Sequence, residues 1–110
     1  DFIGLVSLEC EDNSLTFLDL SNNIYLQAFS CHNNLLTILD VSNNTALEGL
    51  YCNNNQLTNL DVSNNINISS IFFLCKGNPN LNCINVDDSS WSTTNWTNVD
   101  PHHYFSEQCP

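Results

Sequence analysis

The chain has 110 residues and a formal charge of −11, with Lys76 its single cation and no arginine. A surface of that sign repels phosphate backbones and anionic lipid, which excludes nucleic-acid and membrane-surface roles, and no apolar run approaches the roughly 18 residues that would span a bilayer. Charged residues make up only 12%, whereas asparagine occurs twenty times, so polarity comes from amides; 42% hydrophobic residues at regular positions argue against disorder.

The chain opens on DFIGLVSLEC, which has no basic leader ahead of an apolar segment and so does not read as a signal peptide. LDLSNN at 18–23 then returns as LDVSNN at 39–44 and at 60–65, a step of 21 residues. The same step aligns Leu5, Leu26 and Leu47; Leu8, Phe29 and Leu50; Cys10, Cys31 and Cys52; and Asn13, Asn34 and Asn55. The unit is LxxLxCxxNxLTxLDVSNNxx, made of two similar halves. In each half an inward, an outward and an inward residue follow one another, as in Leu50-Tyr51-Cys52 and Leu60-Asp61-Val62, which is the alternation of a short strand. The asparagine three places on stands where the chain must turn, and its amide can bond the corner's backbone. One coil cannot bury its apolar edge, but stacked coils can. The expected fold is a right-handed, mainly β solenoid with two short parallel strands per 21-residue coil and little or no helix. Cys75 matches the cysteine column 23 residues after Cys52, so a bulge or widened loop is expected between Asn67 and Phe72.

The pattern LxCxxNxLTxLDVSxN resembles the leucine-rich repeat, in the 21-residue variety with a cysteine column found in internalin J and in secreted proteins of flavobacterial type. The resemblance runs from residue 5 to about 87. The tail, NPNLNCINVDD followed by WSTTNW and FSEQCP, resembles the C-terminal cap of such arrays in Bacteroidetes secreted proteins, where a sorting domain for type IX secretion commonly follows. The implied organisation is a solenoid of about 3.5 coils over residues 1–80 and a cap over 81–110.

Six cysteines in a short chain ordinarily suggest three disulfides. Cys10, Cys31, Cys52 and Cys75 instead occupy the inward strand position, where a cysteine packs as a small hydrophobe, so a buried ladder of free thiols is expected. Stacked strands lie about 4.8 Å apart, so distance alone leaves a pair such as Cys10–Cys31 open. Cys83 and Cys109 fall off the repeat and bracket the cap; a bond between them would close a 26-residue loop and stabilise it by roughly 3 to 4 kcal/mol. That bond implies an oxidising compartment, hence a secreted or cell-surface location.

Asp19, Asp40 and Asp61 should form an outward column. Calcium could relieve their mutual repulsion, but the dense acidic spacing of a calcium loop is missing, and hydrogen bonds from Ser21, Ser42 and Ser63 are the favoured reading, with no cofactor. The column Thr16, Thr37 and Thr58 is a weak version of an ice-binding array. Asp100, His102 and His103 could grip a metal, yet such a surface cluster is more often solvated. No histidine stands at a recognisable spacing from a nucleophile, so no catalytic residues and no enzyme activity are expected. The sequons begin at Asn43, Asn67 and Asn95.

Outward positions of the first half-unit vary from coil to coil: Ser7, Glu9, Glu11; Ala28, Ser30, His32; Gly49, Tyr51, Asn53; Phe72, Leu74, Lys76. The LDVS face is nearly constant. Variable outward positions are where a leucine-rich repeat reads partners, so Ser30, His32, Tyr51, Asn53, Phe72 and Leu74 are the candidate binding residues for a protein or glycan. Trp91 and Trp96 read as plugs over the last coil rather than sugar platforms. The alternative is structural: an apolar edge at residues 2 to 8 without an N-terminal cap implies either a longer array or end-to-end self-association into a head-to-tail extracellular filament.

Overall fold

A computed structural model describes residues 4–110. Phe2 and Ile3 of the expected apolar edge therefore lie outside the described residues. Three strands of the first half-unit, β1 (Ser7–Glu9), β2 (Ala28–Ser30) and β3 (Gly49–Tyr51), are followed by β4 (Leu60–Asp61), β5 (Phe73–Leu74), β6 (Cys83–Asn85), the helix α1 (Ser89–Asn95) and β7 (Tyr104–Ser106). They form two parallel sheets, ordered β1-β2-β3-β5 and β4-β6-β7.

The repeat is the register. Leu8 pairs with Phe29 and Phe29 with Leu50, each a step of one sequence period, and the inward residue of each pair fills the core. Leu50 then pairs with Phe73, two residues beyond the period. The extra length is taken up in a turn at 70–71, where the Phe72 N–H donates to the Ser69 carbonyl at 3.3 Å and Ile71 is pushed into solvent. Fully buried Leu26, Leu36, Leu47 and Leu57 stack coil on coil, each contributing about 1.5–3 kcal/mol of burial.

The second sheet begins only at the third LDVS copy. In the copies at 18–21 and 39–42 the backbone groups that a ladder would use are taken otherwise. The carbonyls of Leu20 and Val41 accept from the side-chain amides of Asn44 and Asn65, both at 3.0 Å. At the third copy Leu60 and Asp61 pair with Ile84 and Asn85, so the sheet is built mostly from the cap.

Asparagine columns hold the corners. Asn34, Asn55 and Asn78, all buried, each donate to the cysteine carbonyls of their own coil and the preceding one, and each accepts a leucine N–H from the preceding coil. A second column runs along the surface. Asp12, Asn33 and Asn54 take positive φ near 60°, and Gly77 follows at 78°. Asn54 Nδ2 donates to Asn33 Oδ1 at 2.9 Å, and Asn33 Nδ2 to Asp12 Oδ1 at 2.6 Å. Asn and Asp tolerate the left-handed region, which is why Asn13, Asn34, Asn55 and Asn78 are preceded by Asp, Asn, Asn and Gly.

The tail continues the stack rather than lying across it. Leu81, Ile84 and Val86 extend the core, and β7 adds parallel to β6. Between them Asp88 caps α1 by accepting the Trp91 N–H at 3.1 Å. Trp96, 4% exposed, stacks on Phe73 with ring centroids 4.2 Å apart and closes the core, whereas Trp91 stays largely exposed at its edge. Cys83 and Cys109 are joined, with Cα atoms 5.8 Å apart, tying the start of β6 to the chain beyond β7.

Candidate binding face and neighbouring clusters

Strand alternation turns Leu8, Phe29, Leu50 and Phe73 inward and leaves the residues on either side of them facing out. At β2 and β3 two of those outward residues are small, Ala28 and Gly49, and a groove of about 340 Å³ opens across the sheet. Gly49 permits its shape: a Cβ there would stand 3.3 Å from Tyr51 Oη and 3.4 Å from Phe72 Cβ, so the bare backbone lets the Tyr51 ring fold back over its own strand. Tyr51 and Phe72 meet edge to face with centroids 6.3 Å apart.

Five of the six residues expected to bind line the groove: Ser30, His32, Tyr51, Asn53 and Leu74. Phe72 does not line it but flanks it through Tyr51. Ser30 is almost covered, and its hydroxyl lies 3.0 Å from His32 Nδ1, which fixes the imidazole across the strand. Asn53 Oδ1 accepts the Lys76 N–H at 2.7 Å, which ties this lining residue to the next coil. The groove also takes in Glu9 and Glu11, which were outside the candidate set. The signal was present in the repeat, since these two are the first members of the columns that continue as Ser30, Tyr51, Leu74 and as His32, Asn53, Lys76.

The ladder thiols are free, Cys31, Cys52 and Cys75 being buried and Cys10 half-buried. Burial pushes the Cys31 thiol well up, with the neighbouring Cys10 and Cys75 adding to it. Cys52 is raised by its interaction with Cys75 and then by burial, and Cys10 is raised by burial and by Glu11. A thiol held in its protonated form is neither nucleophile nor metal ligand.

Along the LDVS column, Asp40 accepts from the Ser42 hydroxyl at 2.6 Å and its N–H at 3.0 Å, and Asp61 likewise from Ser63 at 2.6 and 2.9 Å. Bonds from Ser21 and Ser42 hold the Asp19 and Asp40 carboxyls below the usual carboxylate range. For Asp61 partial burial works upward, but bonds from Ser63 and Asn85 outweigh it. Asp40 feels Asp19, and Asp61 feels Asp40, so the column does repel itself, and the serines offset the repulsion.

Among the described residues, one group of three potential metal ligands comes together, Asp100, His102 and His103, with ligand atoms within 4.8 Å of one another. Two of its three members are already engaged. Asp100 accepts the N–H of Gly77 at 3.0 Å and of Asn78 at 3.1 Å, and these bonds outweigh burial to keep its carboxyl below the usual range. Buried His103 accepts the Asp100 N–H at Nδ1, 3.2 Å, and its Nε2 faces the Asn78 carbonyl at 3.2 Å, which assigns the proton to Nε2. The cluster clamps the cap onto the fourth coil.

The sequon asparagines also have partners: Asn43 Nδ2 donates to the Ser21 carbonyl at 3.3 Å, Asn67 to Thr45 at 3.4 Å and Asn95 to Trp91 at 2.8 Å. No helix among the described residues is long and apolar enough to cross a membrane.

No protein-family model and no curated protein matches the chain. Among solved structures it is similar to the functional domain of InlJ from Listeria monocytogenes, described as including a cysteine ladder, with 26% identity and a TM-score of 0.69. The match covers 96% of this chain and 26% of that one, so the chain spans about a quarter of the protein it resembles. With its repeating register, inward cysteine column and parallel sheets, the chain is a leucine-rich repeat solenoid of the cysteine-ladder type.

Proposed function

We propose that the chain is a non-catalytic interaction module of a secreted or cell-surface protein, and that it binds a protein or glycan through the variable face of its first sheet. The observation that carries this reading is the contrast between faces: outward residues change at every coil around a groove of about 340 Å³, while LDVS repeats almost unaltered on the other side. Surface that only has to stay wet has no need to collect Tyr51, Phe72 and Leu74 beside one concavity. The Cys83–Cys109 bond supports an oxidising environment, hence the extracellular assignment.

The test is a Tyr51→Ser, Phe72→Ser double variant in glycan-array and surface-protein capture experiments. Both side chains are partly exposed, so the variant should fold, and it should lose at least tenfold in any specific signal. Retention of full signal would sink the assignment of this face. Head-to-tail filament formation is tested separately by light scattering, where a monodisperse monomer at high concentration would count against it.

A further inference from the structure

Building on the reading of the first sheet as a binding face, we infer that its groove takes a cationic peptide segment. The segment runs extended across the strands, with a lysine or arginine at Glu9 and Glu11 and an apolar residue against Tyr51 and Leu74.

Charge sets the class of ligand. The chain carries −11 with one cation, and that cation, Lys76, sits at the far end of the column that starts at Glu11. Glu9 stands on the first strand of the groove, with Glu11 just beyond it, and Tyr51 and Leu74 on the third and fourth. Glu11 Oε1 is buried there and accepts no hydrogen bond from any described residue. That oxygen is withdrawn from the groove, but the half-buried carboxylate still lines it beside Glu9, and an ammonium or guanidinium bound there supplies hydrogen bonds and the opposite charge together. A metal ion fits less well, because Glu9, Glu11 and His32 line the groove without bringing their ligand atoms together; the one such triad among the described residues is at Asp100. A neutral sugar hydroxyl could bond Glu11 but would gain nothing from the net charge.

The dimensions set the spacing. Leu74 on β5 lies three strands from Glu9 on β1. At about 4.8 Å per strand that is roughly 14 Å, or about four residues of extended chain. The cationic and apolar residues of the ligand should therefore stand about four positions apart.

The probe is a fluorescein-labelled octapeptide bearing two lysines and, four residues on, a leucine–phenylalanine pair, compared by anisotropy with a twin in which both lysines are glutamine. The lysine peptide should bind at least about tenfold more tightly than its twin, and added salt should weaken it. Glu9→Gln with Glu11→Gln should cost about tenfold, while Asp19→Asn with Asp40→Asn, the same change of charge on the other face, should cost less than about twofold. Equal losses in the two double variants would mean diffuse attraction to an acidic protein and would overturn the proposal, as would equal binding of the two peptides. If neither peptide binds but neutral oligosaccharides do, and Tyr51→Ser abolishes that signal, the cationic ligand is wrong and the binding face stands. If Tyr51→Ser alters no bound probe of any class, both fall.

Discussion

Asn55→Ala tests whether the buried amides, rather than the leucines alone, hold the coils in register. Asn55 is 4% exposed, donates to the Cys31 and Cys52 carbonyls at 3.1 and 3.3 Å, and accepts the Leu36 N–H at 3.1 Å. A fourth bond, to the Asn53 carbonyl at 3.4 Å, is the longest and weighs least, and the other three partners lose unequally. The Cys31 carbonyl keeps a bond from Asn34 and the Cys52 carbonyl one from Asn78, so each surrenders only a net hydrogen bond, about 0.5–1 kcal/mol. Among the described residues Leu36 N–H has no other acceptor, and a buried orphaned donor costs about 1–3 kcal/mol. The sum is on the order of 3 kcal/mol, which at a urea slope near 1.5 kcal/mol/M lowers the midpoint by roughly 2 M. The control is Asn13→Ala, whose amide donates to the Cys10 and Glu11 carbonyls at 3.0 and 3.1 Å in an exposed setting, and which should cost under about 1 kcal/mol. Urea unfolding followed by circular dichroism, with the disulfide intact, measures both. Equal and small losses would refute the view that the ladder asparagines satisfy otherwise orphaned backbone.

Maleimide labelling of the native protein near pH 8 should modify Cys10 first and leave Cys31, Cys52 and Cys75 protected until denaturant is added; labelling of Cys31 at the rate of Cys10 would contradict their burial. Gly77→Ala should cost about 2 kcal/mol in a thermal melt, because φ is +78° and the new Cβ would collide with Asn54 Oδ1 and lie 3.1 Å from the Asn54 Cα; a neutral result would mean that the surface asparagine column relaxes freely. Asp19, Asp40, Asp61 and Asp100 all have lowered folded-state values, so their contribution to stability is present above the ordinary value of 3.8 and is lost as pH falls below it through the folded values. NMR titration should show the Asp40 midpoint moving up on Ser42→Ala while Asp100 stays put, and an unmoved Asp40 would remove the serine from the account.

What could be read in advance was whatever the repeat imposed. Leu8, Phe29 and Leu50 had to face inward because period-two alternation and a 21-residue step leave no other solution, and the extra residues before Cys75 had to appear as a bulge or widened loop, which the structure makes a turn at 70–71. The surface column Asp12, Asn33, Asn54 and Gly77 was equally periodic but illegible as conformation, since a positive φ shows only as tolerance, in the choice of Asp, Asn or Gly. The pairing of the third LDVS copy with β6 was only partly visible, because Leu81, Ile84 and Val86 keep the spacing of Leu57, Leu60 and Val62 but lack the LDVS residues between them, and the further strand β7 carries no repeat spacing at all. At the candidate site the columns gave the face but not its depth. The groove depends on Ala28 and Gly49 being small, and Glu9 and Glu11 enter it through a neighbouring strand rather than through proximity in sequence.

The irregular fourth coil shows how such a scaffold can gain recognition surface without loss of core. A two-residue insertion inside a strand would turn a coil's register and break the asparagine ladder. Placed at 70–71 it is absorbed by a turn, and Asn78 still donates to the Cys52 and Cys75 carbonyls as Asn55 does to those of Cys31 and Cys52. The inward series continues through Phe73 and Cys75, both buried. What changes is outside: Ile71 is pushed into solvent, while Phe72 keeps its regular place in the outward column beside Gly49 and meets the edge of Tyr51. The buried columns fix the stack so firmly that sequence change is confined to the outward positions and the turns, and it is on those that specificity is built.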